Sequence, residues 1–168
     1  MLYIIGFMGV GKTTIGKELA LKHNINFIDT DKEIEKKSNN SILNIFQEHS
    51  ESHFRELESI TLKEISEDSI VACGGGLPIY NNNMELIKKS GLSIYLKASG
   101  KEIFNRLKRD LKNRPLLKNK SNKEIENFIQ ETLTEREKFY KMADYIIDTS
   151  YLSKTNVLGK INALPFWV

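Results

Sequence analysis

The sequence predicts an α/β protein built on one open, five-stranded parallel sheet flanked by helices. Short apolar runs alternate along the chain with amphipathic helical stretches, the pattern of strands joined by helical crossovers. A glycine-rich loop links the first apolar run to the first helical stretch, and 168 residues are enough for about one domain with a real core.

The first strand is expected at Leu2–Gly6, where the run Leu2-Tyr3-Ile4-Ile5 reads as a central strand. The loop Gly6-Phe7-Met8-Gly9-Val10-Gly11-Lys12-Thr13 follows, and then a helix over Lys12–His23 with Ile15, Leu19 and Ala20 on one face. Further strands are expected at Asn26–Asp29, Ser69–Cys73, Ser93–Lys97 and Asp144–Asp148. Helices are expected at Asp31–Lys37, Ser41–Glu48, Ser50–Ile65, Asn82–Ser90, Lys101–Lys112, Asn122–Met142 and Ser153–Ala163. Thr30-x-x-Glu33 reads as a capping box opening the second helix. Between the sixth and seventh helices the run Leu111–Asn122 is basic and loop-favouring, and Pro115 bars a continuous helix there while pushing Arg114 to an extended conformation. A connection of that kind suggests a lid closing over phosphates.

Bulk properties narrow the function classes. Hydrophobic residues make up 40% of the chain and charged residues 28%, as in ordinary soluble globular proteins. A net charge of +3 is too small to argue for nucleic acid or a membrane as the main partner, although it suits a site that handles anions. The single cysteine, Cys73, excludes an intrachain disulfide and a cysteine-cluster metal site; a buried role at a strand end and a reducing, cytoplasmic setting are expected. The N-terminal apolar stretch lacks a basic flank and is too short to span a bilayer. His23, His49 and His53 share no metal-ligand spacing and are expected at surfaces or helix ends. The apolar Pro165-Phe166-Trp167-Val168 is expected to pack on the core.

The chemistry gathers at five places. In the glycine-rich loop, glycines let successive backbone N–H groups turn toward one anion, Lys12 adds a point charge for outer phosphates, and Thr13 is placed to ligate magnesium. The following helix points its positive end at the same spot. The second strand ends in Asp29-Thr30-Asp31, at the carboxyl edge where parallel sheets collect ligands. Asp29 could hold magnesium there, and Asp31 could orient a hydroxyl and take its proton. Arg55 and Glu58 in Phe54-Arg55-Glu56-Leu57-Glu58 are spaced to face each other, which by itself reads as a surface pair. Gly74-Gly75-Gly76 is costly in chain entropy and makes sense where backbone approaches a ligand closely. Finally, the forks of Arg114 and Arg136 suit a carboxylate or a transferring phosphate.

Taken in order, the loop, Asp-x-Asp, Phe-Arg-x-x-Glu, Gly-Gly-Gly, Arg-Pro-Leu-Leu and Arg-x-x-x-Tyr resemble the shikimate kinase family over nearly the whole length. The resemblance implies a three-layer P-loop kinase fold in a single domain, with an acceptor-binding segment near 31–61 and a lid near 110–122. It implies transfer of the ATP γ-phosphate to the 3-hydroxyl of shikimate, on the cytoplasmic route to chorismate, with Mg2+ and no nucleic-acid or membrane partner. A monomer is expected. By the same resemblance Gly9, Val10, Gly11, Lys12, Thr13 and Thr14 serve ATP, Thr13 and Asp29 the metal, and Asp31 the acceptor hydroxyls as base. Arg55 and Arg136 would grip the shikimate carboxylate, Gly74, Gly75 and Gly76 line its ring, and Phe46 and Phe54 wall the pocket. Arg114 would stabilise transferring charge from the lid, and either Arg106 or Arg109 would serve adenine. The family usually has threonine or serine where this chain has Cys73. Gluconate and nucleotide kinases share the fold class, so the acceptor rests on the ordered arginines and the triple glycine. A guanine-reading Asn-Lys-x-Asp, which a GTPase switch would need, is absent from both Asn119-Lys120-Ser121-Asn122 and Asn122-Lys123-Glu124-Ile125.

Overall fold

The structure, a computed structural model, describes residues 1–66, 68–109, 117 and 120–167. Five strands, β1 (Leu2–Ile5), β2 (Asn26–Asp29), β3 (Ser69–Ala72), β4 (Leu92–Lys97) and β5 (Tyr145–Asp148), form one sheet in the order β2-β3-β1-β4-β5, with every pairing parallel. The helices among the described residues are α1 (Lys12–His23), α2 (Thr30–Ser38), α3 (Ile42–Glu48), α4 (Glu51–Glu64), α5 (Asn83–Ser90), α6 (Gly100–Arg109), α7 (Asn122–Tyr140) and α8 (Lys154–Asn162).

β1 is central because it is apolar on both faces. Leu2 and Ile4 enter one core with Ile15 and Leu19 of α1, Ile103 and Leu107 of α6, and Ile125 and Ile129 of α7. Tyr3 and Ile5 enter a second core on the opposite face with Val71, Leu77, Ile87 and Tyr140. Alternate residues of a strand leave opposite sides of the pleat, so an unbroken apolar run is what a sheet covered on both sides requires. A third, smaller core of Ile34, Ile45 and Phe54 holds α2, α3 and α4 together. The terminal Phe166 and Trp167 pack against the first core, and Trp167 stacks on His23 at 3.7 Å between ring centroids.

Register sets the position of the site. Asp29 is level with Ala72, and Ala72 with Ile4. The loops leaving β1, β2 and β3 therefore emerge side by side at the carboxyl edge of the sheet, where open parallel sheets bind ligands.

Three features differ from the sequence expectation. Thr30 does not cap α2: the helix begins at Thr30, and Asp29 is its N-cap, accepting from the Lys32 N–H at 3.4 Å. The Thr30 hydroxyl is buried and instead accepts from the Gly74 N–H at 2.8 Å, because the neighbouring strand end brings an otherwise unpaired amide to it. A short 3-10 helix, Leu77–Ile79, follows the triple glycine. A capping box opens α7, with Ser121 and Glu124 each bonding the other's backbone. The expected continuation of the sixth helix from Arg109 to Lys112 lies outside the described residues. No helix among the described residues is long and apolar enough to cross a membrane.

Gly6 ends β1 with φ 140°, and a Cβ there would stand 2.6 Å from the Leu96 carbonyl oxygen of the neighbouring strand. Backbone cannot withdraw as a flexible side chain could. Gly6→Ala is therefore expected to lower unfolding free energy by about 1–3 kcal/mol, read as a reduced urea midpoint at unchanged m-value.

Candidate active site

The loop after β1 is built around Gly11, which sits in the left-handed region at φ 100° and is the N-cap of α1. Glycine supplies no capping side chain, so the first-turn N–H groups of α1 remain available to an anion. The Lys12 ammonium folds back over the loop, donating to the carbonyls of Gly6 at 2.9 Å and Phe7 at 3.0 Å. A cleft of about 260 Å3 opens in front. Gly9, Gly11, Lys12, Thr13 and Thr14 line one side of it, Asp29, Asp31, Cys73 and Gly75 another, and Arg106 a third. Val10 is buried beneath, and its carbonyl accepts from Arg106.

Thr13 and Asp29 meet across the cleft, with the threonine hydroxyl donating to Asp29 Oδ2 at 2.7 Å. Asp31 follows one residue beyond the buried Thr30. Burial raises its carboxyl above the usual range, the neighbouring Asp29 pushes the same way, and Lys12 opposes.

The turn after β3 carries the convergence. A Cβ on Gly74 would lie 2.5 Å from Asp31 Oδ1 and 2.9 Å from Glu58 Oε1. One on Gly75 would lie 3.4 Å from the Arg136 guanidinium, and one on Gly76 would overlap that of Arg55. Three residues without side chains thus let two carboxylates and two guanidinium groups close on the same few ångströms of backbone. Two buried hydroxyls pin the turn: Thr30 at the Gly74 N–H, and Tyr140, which donates to the Gly75 carbonyl at 2.5 Å.

Arg55 is held far more tightly than a surface residue. It donates to Glu58 Oε2 at 2.7 Å and to Glu51 Oε1 at 2.8 and 3.2 Å, and its guanidinium carbon lies 4.4 Å from the centre of the Tyr80 ring. Its side chain is 11% exposed and that of Glu58 only 1%, so the spacing that reads as a surface pair is a buried one. Glu58 was legible in principle: with Phe54, Thr61 and Leu62 it falls on one helical stripe, and that stripe faces inward. Burial raises Glu58 to about 7 against the pull of Arg55. For Arg55, burial lowers the proton affinity, and Glu58 and Glu51 more than restore it.

Other expected residues are placed as follows. Arg106 bridges the loop and the end of β5, donating to Val10 O at 3.2 Å, Thr149 Oγ1 at 3.1 Å and Thr149 O at 2.6 Å, while Arg109 is exposed and lies outside the cleft lining. Phe46 and Phe54 pack on each other at 4.7 Å in the third core, and Phe54 is buried there. Neither lines the cleft. Arg114, with Pro115 and Leu116 of the expected lid, lies outside the described residues. Glu51 and Tyr80 join the arrangement without having been singled out from the sequence, and Glu58 and the tyrosine of Arg-x-x-x-Tyr, Tyr140, join it with contacts the sequence did not show.

Glu58 couples stability to pH. With a folded value near 7 against an ordinary 4.5, the folded state holds a proton that the unfolded state releases. Its contribution is complete below 4.5 and is lost as pH rises toward 7. Glu58→Gln should flatten this part of the profile, so melting temperatures at pH 5 and pH 7.5 should lie closer together than in the wild type.

Comparison with known proteins points one way. The sequence model of the family described as shikimate kinase matches residues 8–164. A shikimate kinase of Parabacteroides distasonis is 40% identical over 166 residues, covering 97% of this chain and 96% of that one. Among solved structures, shikimate kinase from Bacteroides thetaiotaomicron superposes with a TM-score of 0.90 at 33% identity, covering 96% of this chain and 95% of its own. The enzyme from Acinetobacter baumannii, solved in complex with shikimate, gives 0.87 at 34% identity over 96% of this chain and 89% of that one. A phosphate loop and a turn ringed by arginines and carboxylates, on a sheet shared with these enzymes from end to end, make this chain a member of the shikimate kinase family.

Proposed function

We propose that this protein transfers the γ-phosphate of ATP to the 3-hydroxyl of shikimate, giving shikimate 3-phosphate and ADP on the route to chorismate. The observation that carries the reading is the wall shared by two kinds of site. Lys12 and Asp31 line one cleft with Gly75, and the Arg55 and Arg136 guanidinium groups pack against the same glycine turn. A small polyhydroxy acid needs a cationic grip beside a hydroxyl-reading carboxylate, and both must stand next to the phosphate cradle.

Phosphoryl transfer through a loose transition state asks mainly for positioning and charge neutralisation. Gly9, Val10, Gly11, Thr14 and the start of α1 receive the triphosphate, and Lys12 turns from the loop carbonyls to its outer oxygens. Arg106, fixed between Val10 and Thr149, takes the adenine-side role in preference to exposed Arg109. Asp31 orients the acceptor hydroxyl, and its raised proton affinity suits it to take the departing proton. Arg55 and Arg136 grip the carboxylate. Of the five N–H donors of Arg55, three are committed to Glu51 and Glu58, which aim the remaining edge of the fork. Residues 31–61 supply the acceptor side, with Phe46 and Phe54 as its aromatic wall beside Arg55.

The oxygen pair of Thr13 and Asp29 fits Mg2+, a hard cation that takes hydroxyl and carboxylate oxygens together with water and phosphate. When bound, Mg2+ neutralises charge on the phosphate oxygens. Among the described residues no three His, Cys, Asp or Glu side chains gather to hold a metal by themselves. Arg114, on the lid over 110–122, completes the neutralisation as the phosphate moves. The setting that goes with this reading is a cytoplasmic monomer with no nucleic-acid or membrane partner.

ADP release measured in parallel with shikimate, gluconate and nucleoside monophosphates tests the acceptor. Turnover should require shikimate, and turnover with another acceptor alone would refute the assignment. The arginines should separate kinetically. Arg55→Ala should chiefly raise the KM for shikimate, and Arg114→Ala should chiefly lower kcat by about 10^2-fold or more. Indistinguishable effects would undo that division of roles.

A further inference from the structure

Tyr140 closes α7 one turn beyond Arg136, so the two side chains leave the same face of the helix. Its ring is wholly buried in the second core, 5.1 Å from that of Tyr95. Phenylalanine would fill that space equally well, so the hydroxyl is the feature that needs an explanation. That hydroxyl donates to the Gly75 carbonyl at 2.5 Å, and the Arg136 charge lowers its proton affinity against the rise that burial causes. A carbonyl only accepts, so the phenol is the donor and its bond fixes the Gly75 backbone. The same guanidinium also stands 3.4 Å from the position of a Gly75 Cβ, and Gly75 lines the cleft with Lys12 and Asp31.

We infer that Tyr140 is a positioning residue for the acceptor, whose hydroxyl fixes the Gly75 backbone against which the Arg136 guanidinium stands, so that the arginine meets the acceptor carboxylate already oriented. The inference rests on the reading that Arg136 grips that carboxylate. Without the hydroxyl the arginine keeps its charge and its helix but loses its fixed orientation, and the acceptor must order it on binding. The effect falls on the carboxylate and not on the nucleotide.

The test is Tyr140→Phe, which keeps the ring and deletes only the hydroxyl. It is assayed with shikimate and with the analogue whose carboxylate is reduced to a primary alcohol, alongside thermal unfolding. The KM for shikimate should rise about 10-fold while the KM for ATP holds. The preference for shikimate over the alcohol, as a ratio of kcat/KM values, should fall by a similar factor. That ratio is taken on one preparation, so it does not depend on the fraction folded. In the Arg136→Ala background Tyr140→Phe should leave the ratio unmoved. An unchanged ratio in the single variant, equal losses on both acceptors, full additivity with Arg136→Ala, or a variant that does not fold would each overturn the inference by making the hydroxyl merely structural. The proposed function fails separately, if the wild type does not use shikimate. The role of Arg136 fails separately too, if Arg136→Ala keeps the wild-type ratio.

Discussion

The close approach of charge to backbone at Gly74–Gly76 is the constraint on which the rest of the site depends. Any side chain on Gly74 would displace Asp31 or Glu58, and one on Gly76 would occupy the space of the Arg55 guanidinium. With no side chains there, two acids and two arginines share one small volume, and each group's electrostatics is set by the others. Burial raises the proton affinity of both Asp31 and Glu58, Asp29 adds to the rise at Asp31 and Asp31 to that at Glu58, and Arg55 and Arg136 oppose it at Glu58. Neither sign could be assembled alone at this density. The balance is what lets a site handling a triphosphate and an organic acid hold carboxylates at all.

Such a cluster contributes little to stability. A buried ion pair roughly breaks even against its desolvation, so Arg55–Glu58 is better understood as orientation than as folding energy. Stability resides in the cores on either face of β1 and in the register that carries them. The link between the two is made by buried and part-buried polar contacts of long sequence separation. Thr30 meets the Gly74 N–H across 44 residues, Tyr140 the Gly75 carbonyl across 65, and Arg106 the Val10 carbonyl across 96. Each satisfies a backbone group that leaves the sheet without a ladder partner, and each thereby ties a functional loop to a rigid element.

Those separations also explain what could be read from the chain alone. Strand order along the sequence, the glycine loop and most helices follow from period and turn chemistry, which are local, and they agree with the structure to within a few residues. The Thr30 expectation failed because a local capping pattern competed with a tertiary partner that no local window contains. Glu58 read as a surface residue because Arg55, three positions away, supplied a sufficient local explanation, although the apolar stripe Phe54, Thr61 and Leu62 ran through its position. The convergence of Asp31, Arg55 and Arg136 had no local trace. It was legible only through the order of motifs, and the triple glycine was its one intrinsic hint.

Cys73 shows how the charge balance reaches beyond the named groups. It stands in the cleft lining immediately before the glycines, is buried, and bonds through its N–H to the Ile4 carbonyl at 3.0 Å. Burial drives its thiol well above the ordinary cysteine range, with Lys12 pulling the other way and Glu58, Asp31 and Asp29 adding to the rise. A thiolate here would be a further anion beside carboxylates that already resist ionising together, so the sulfur stays neutral and unreactive. A threonine or serine hydroxyl at the same place would be neutral as well, and the electrostatic frame would be unaltered by the exchange. What the exchange removes is a strong hydrogen-bonding group, since a thiol donates and accepts only weakly. Of the threonine hydroxyls around the cleft, that of Thr13 donates to Asp29 and that of Thr30 already accepts from the Gly74 amide, while Thr14 lines the cleft beside Thr13. The polar side chains left at this edge of the cleft are therefore the bonded Thr13–Asp29 pair and Thr14, and the sulfur adds little to them.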